Sequence, residues 1–225
     1  MRVSENVGES AEPWSFVGTG DGTDEFHILR AVAEKYNGTC SLWFPKSPLG
    51  KKTGLTVLDS INTVININPK ISTFLFLIDR EHIVQGMNRR SGDKLDNSDI
   101  KGMIEDRLSN KHIKIIKIDD NTPEGAFIIK GKLGSRVLQI YVIIQGIDLK
   151  IEEEISKLIK LEKDITIPPE KEHIRDFFKE TFHRKSIGQG TAKLIAGTSK
   201  NNLRMSFPGL TFILNVIENQ CSKNN

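Results

Sequence analysis

Eight residues constrain this chain more than any others: Ile71 to Ile78, reading ISTFLFLI. The run is apolar almost without interruption, as expected of a strand buried on both faces of a helix-covered sheet. It stops abruptly at Asp79-Arg80-Glu81 and a polar stretch to about Asn97 that reads as a loop. A buried strand that ends in acids fixes both a sheet and a place where charge leaves it.

The neighbouring segments supply the rest of an α/β unit. Pro13–Val17 (PWSFV) is a short strand that runs into a glycine-rich turn, Gly18–Gly22. A helix follows to about Tyr36, with Phe26, Leu29, Ala33 and Tyr36 at helical spacing and Asp24 and Glu25 in its first turn, where negative charge suits the helix dipole. Cys40–Phe44 is a second strand. Leu55 to about Ile65 is a helix with Leu55, Leu58, Ile61 and Ile65 on one stripe. After the buried strand come a helix over Ser98–Leu108, capped by Ser98, and a strand over His112–Ile118. Strands joined by helices imply a parallel sheet with right-handed crossovers. The pattern then changes: Gly125–Lys130 and Arg136–Ile144 read as an antiparallel edge hairpin around Gly131–Gly134. From Lys150 the chain is helical, with Ile174, Phe177, Phe178 and Phe182 on one face of a helix over Glu170–His183. The division is therefore a flexible tail over 1–12, an α/β domain over 13–149 and a helical C-terminal region over 150–225.

Composition narrows the class. A chain of 225 residues with 37% hydrophobic and 27% charged residues is an ordinary globular protein. Its net charge of +3 permits nucleic-acid contact without demanding it. The two cysteines, Cys40 and Cys221, form no CxxC pair, so neither a zinc site nor a disulfide framework is expected, and a reducing, cytoplasmic setting fits. Met1–Pro13 has no apolar segment of the kind a signal peptide carries, and no apolar run is long enough to cross a bilayer.

Ligands of open parallel sheets bind beyond the carboxyl ends of the strands. Two features meet there. Asp79 and Glu81, two apart as the chain leaves its strand, point to the same side and repel unless a cation joins them. A hard ion such as Mg²⁺, or Mn²⁺ in its place, is the natural partner. Gly18, Gly20 and Gly22 form the second feature, a turn through which the backbone can approach a phosphate. Lys46, Lys51, Lys52, Arg80, Arg89 and Arg90 fall in loops at the same sheet edge and form a basic rim. Gly50-Lys51-Lys52-Thr53 is no Walker loop, because Pro45 stands where the first glycine belongs. The histidines are scattered; His82, beside Glu81, reads as a surface residue and as a candidate acid or base.

The segments FVGTGDGTDEFHIL and FLFLIDRE, in this order, resemble the two motifs of the Toprim domain, over Pro13 to about Asp119. The resemblance implies a Mg²⁺-dependent nuclease acting on nucleic-acid phosphodiesters. Asp79 and Glu81 would hold the ion, and Asp21, or else Asp24 or Glu25, would complete the site or act as base. Lys51, Lys52, Arg80 and Arg89 would grip the backbone. It also implies a partner ATPase in an antiviral defence module. The family's glutamate is replaced at its aligned place by Thr19, and Asp21 takes its role if the loop carries an extra residue. That substitution supports a second reading, a catalytically degenerate module that binds metal, nucleotide or a protein partner, with the Ile174–Phe182 stripe as its docking face. A third, a nucleotide-using enzyme of another doubly wound family, has only the glycine turn in its favour.

Overall fold

The computed structural model describes residues 1–5, 15–19, 23–37, 40–45, 52–85, 95–119, 121–184 and 186–221. Among them the chain forms one seven-stranded sheet with helices on both faces. The strands are β1 (Arg2–Ser4), β2 (Ser15–Thr19), β3 (Ser41–Trp43), β4 (Thr73–Asp79), β5 (Ile113–Asp119), β6 (Ala126–Leu133) and β7 (Arg136–Gln145), in the spatial order β1-β3-β2-β4-β7-β6-β5. Pairings from β1 through β4 to β7 are parallel; β6 is antiparallel to both of its neighbours.

Crossover helices follow from that order. Helix α1 (Thr23–Ala33) leads from β2 outward to β3, whereas a 3-10 turn (Gly54–Asp59) and α2 (Ser60–Ile67) return past β2 to β4. Right-handed crossovers running in opposite directions must cover opposite faces. They do: Ile28, Leu29 and Val32 of α1 pack with Leu75 and Leu77 of β4, while Leu58, Ile61 and Val64 pack with Phe74, Phe76 and Ile78. The alternation of β4 between two apolar layers is why its sequence is apolar throughout. Helices α3 (Arg80–Gln85) and α4 (Asn97–Ser109) join the second face.

Helices α5 (Ile151–Lys163), α6 (Lys171–Phe182), α7 (Ile187–Gly197), α8 (Lys200–Ser206) and α9 (Pro208–Cys221) join the first. Between Ile151 and Cys221 the described residues are thus mostly helical and complete the layer begun by α1. The aromatic stripe belongs to that core: Ile174 and Phe178 are fully buried, and Phe177 and Phe182 pack against them. Burying a side chain such as Phe178 contributes roughly 2–3 kcal/mol, so this face is structural and presents no docking stripe.

Several expectations are corrected. Arg2–Ser4 is no loose tail but a parallel edge strand, with Met1 and Val3 turned into the core around Arg2; the rest of the expected tail, from residue 6, lies outside the described residues. The strand over Ile113–Asp119, expected in the parallel series, is antiparallel to its neighbour. It pairs with β6 at the far edge, and the long hairpin inserts β7 next to β4. Gly131 is a strand residue: a Cβ there would stand 2.9 Å from Ile113 Cγ2, so glycine serves close strand packing. The turn is the two residues after Leu133, where Gly134 has φ +59°. Gly18 likewise lies within β2, and its Cα faces the Phe76 ring, 2.8 Å from where a Cβ would be. Asp96 rather than Ser98 caps α4, accepting from the Asp99 amide at 2.8 Å.

Cys40, before β3, and Cys221, at the end of α9, form a disulfide with Cα atoms 5.8 Å apart. The expectation of unpaired cysteines fails because the fold closes 181 residues of sequence onto one point. Among the described residues no helix is long and apolar enough to cross a membrane.

Candidate metal centre

The chain leaves β2 towards one side and β4 lies on the other, so the carboxyl ends of these two strands form the sheet's switch point, where a crevice must open. A cavity of about 230 Å³ lies there, lined by Glu25, Asp79, Glu81, His82, Glu152 and Lys171 among others.

Asp79 is the last residue of β4, and its parity places it on the face of Leu75 and Leu77. Arg80 then begins α3, and its side chain goes the other way. It is 4% exposed, donating from Nη1 to the Leu95 carbonyl at 2.9 Å and from Nη2 to Glu124 Oε1 at 3.2 Å. Glu81 and His82 occupy the first turn of α3, with Glu81 Oε1 and His82 Nε2 4.0 Å apart. Ligand atoms of Asp79, Glu81 and His82 all lie within 4.8 Å of one another. A strand-to-helix step, and not the two-residue alternation of a strand, brings the two carboxylates together.

Three other elements close the cavity. From α1, Glu25 faces it and is 9% exposed. Asp24 also lines the cavity, but its Oδ1 accepts from Ser186 Oγ at 2.9 Å and from the Gly188 amide at 2.8 Å, anchoring the start of α7. The loop after β7 lies over α3, its Leu149 carbonyl accepting from the Glu81 amide at 2.9 Å. This contact sets the first turn of α5 at the site. Of its three acids, Glu153 reaches back to the amides of Asp148 and Leu149, Glu154 accepts from the Gly146 amide at 3.3 Å, and Glu152 lines the cavity. Lys171, at the start of α6, stands 3.6 Å from Glu152.

This concentration of acid raises proton affinities. Burial first, then the charges of Glu25, Glu152 and Glu81, push Asp79 up to about 7, against a smaller opposing effect of Lys171. Burial drives Glu154 up to about 8, only partly countered by its bond from Gly146, with Asp79 adding to the rise. For Lys171 burial works downward, but Glu152, Glu81 and Asp79 outweigh it and hold the ammonium above its ordinary value. Asp79 Oδ1 is buried without a hydrogen-bond partner. An orphaned carboxylate oxygen among other carboxylates is the electrostatic signature of a place for a cation. Two carboxylates and an imidazole fit a divalent ion, and the nitrogen donor suits Mn²⁺ ahead of Mg²⁺.

Of the residues singled out in the sequence, Asp79 and Glu81 meet in the cavity, and Glu25 joins them as the acid from the first motif. Thr19 ends β2 and is buried. Asp21, Lys46, Lys51, Arg89 and Arg90 lie outside the described residues. Lys52 is half-buried and precedes the 3-10 turn that packs against His82. Arg80 cannot grip a backbone, since its guanidinium is spent inside the protein on the opposite face. Glu152, Glu154 and Lys171 went unnoticed. Their signal was the acidic run at 152–154 flanking an apolar stripe of Ile151, Ile155 and Leu158, which places two acids at the margin of a buried face. No family model, no curated protein and no solved structure matches this chain.

Proposed function

We propose that this protein is a divalent-metal-dependent nuclease, built on a Toprim-like scheme, that cleaves nucleic-acid phosphodiesters. The observation that carries the reading is the convergence of Glu25, Asp79, Glu81, His82 and Glu152 on one cavity at the switch point, with Asp79 Oδ1 left unpaired. Asp79, Glu81 and His82 would hold the ion, which supplies Lewis acidity towards a phosphoryl oxygen and acidifies water. Glu25 stands across the cavity on a different element and is the residue placed to take the proton of an attacking water. Lys171 sits among the acids with its proton firmly held, and offers the positive charge that an entering phosphate needs. The rival reading of a catalytically degenerate binding module keeps the argument from Thr19 but loses its docking face, because the aromatic stripe on α6 is core. In this scheme any ATP hydrolysis belongs to a partner in a defence module; the sequence resemblance alone carries that part.

The test is cleavage of labelled DNA and RNA with Mg²⁺ or Mn²⁺, alone and with any co-purifying partner, comparing wild type with Asp79→Ala. Metal-dependent cleavage that disappears in the variant is the expected result. A folded wild type that cuts neither polymer with either metal would sink the reading.

A further inference from the structure

The acidic cavity has a neighbour. A groove of about 420 Å³ opens between the 3-10 turn and α4, with Leu55, Ile83 and Met103, His82, Asp106 and Asn110 among its lining. His82 lines both spaces, so the boundary between them runs along this residue of α3. Backbone packing fixes that partition: Gly54 has φ +54°, and a Cβ on it would stand 2.8 Å from the His82 carbonyl oxygen, so only glycine lets the 3-10 turn close against α3.

The groove has the chemistry of a slot for a flat heterocycle. Its floor is apolar, with Ile83 buried and Leu55 and Met103 partly so. Two of its lining residues carry planar groups, the imidazole of His82 and the guanidinium of Arg107. The latter is held by Asp59, with Nε donating to Oδ1 at 2.8 Å and Nη2 to Oδ2. That pairing neutralises Arg107, and with Asp106 nearby the groove does not suit a free phosphate. Asp106 and Asn110 are exposed at the rim, where they can meet the donors and acceptors of a base edge. Aromatic and guanidinium planes that stack, an apolar floor and a polar rim are what recognition of an unstacked base uses.

We propose that this groove receives one nucleobase of the strand whose phosphate enters the acidic cavity. The proposal rests on the nuclease reading and adds its substrate class: a single-stranded or locally unpaired nucleic acid, gripped by a base beside the cleaved bond.

The experiment compares kcat/KM of the full chain, with Mn²⁺, on a labelled single-stranded oligonucleotide and on a strand of equal length built of abasic sugar-phosphate units. Wild type should favour the base-bearing strand by about tenfold or more, the usual weight of one stacked base. Met103→Glu, which places a charge on the floor, and the milder Leu55→Ala should bring that ratio towards one, with thermal unfolding used to verify that both variants fold. A wild-type ratio of one, or an unaltered ratio in both folded variants, overturns the base slot and leaves the nuclease reading standing. If wild type cuts neither strand, the nuclease reading falls and the slot with it.

Discussion

The two faces of the sheet treat their acids in opposite ways. On the face of α2 to α4, Asp59 is bonded by Arg107 and stands 3.5 Å from Lys111, and Glu124 accepts from Arg80. On the face of α1 and α5, Glu25, Asp79, Glu81 and Glu152 crowd one cavity, and Lys171 is the cation among the described residues that lines it with them. The first arrangement is what a fold adopts when charge only has to be accommodated. The second leaves Asp79 and Glu154 holding protons near neutral pH and costs the folded state energy. Proteins keep such arrangements where a site needs them.

The strongest way to break this comparison is to remove the centre of the crowded face. Asp79→Ala should lower metal-dependent cleavage at least about a thousandfold, the scale of several kcal/mol of lost transition-state stabilisation. A variant as active as wild type would show that the crowding has no catalytic purpose. Next in size is the clamp on the same face. Reducing Cys40–Cys221, or substituting Cys221→Ser, should lower unfolding stability by about 3–5 kcal/mol, as expected for a bond closing so long a loop. Denaturant unfolding with and without reductant measures it, and identical midpoints would refute the clamp.

A third prediction concerns pH. Asp79 is raised from 3.8 to about 7 on folding, so between those values the folded state holds a proton that the unfolded state has lost. Its contribution to stability is therefore greatest below about pH 4 and falls as pH rises through about 7; Glu154 acts in the same direction up to about 8. Without divalent ions, Asp79→Asn should raise stability at pH 8 by about 2–4 kcal/mol and do little at pH 4. Added Mn²⁺ should stabilise wild type and not the variant. A variant less stable than wild type at pH 8 would mean that Asp79 is satisfied as it stands. The smallest effect belongs to the paired face: Arg107→Ala should cost about 1 kcal/mol at pH 8, because its ion pair is partly exposed.

What could be read in advance follows the range of the forces involved. The buried strand, the acids that end it and the helix carrying Glu25 were legible, because burial on two faces writes itself into consecutive residues. Strand order was not: that β7 rather than β5 lies beside β4 depends on pairings between distant segments, and periodicity says nothing of them. The other half of the site was hidden for the same reason. Glu152 and Lys171 reach Asp79 only after the chain has made its hairpin and turned back through Gly146. Arg80 was misjudged because a charged residue after an apolar strand looks exposed, and only the fold shows that Leu95 and Glu124 wait for it on the far side.

Asp79 and Arg80 are consecutive, yet one serves the acidic cavity and the other anchors the opposite layer. The junction thus works like the phase of a wave, in which a shift of half a period inverts the sign. Removing one residue between Thr73 and Ile78 would deliver a guanidinium to the acids and a carboxylate to the Leu95 carbonyl. Length here matters beside composition: a change of a single residue in the strand's count would invert the charge that its end presents to Glu25 and Glu152.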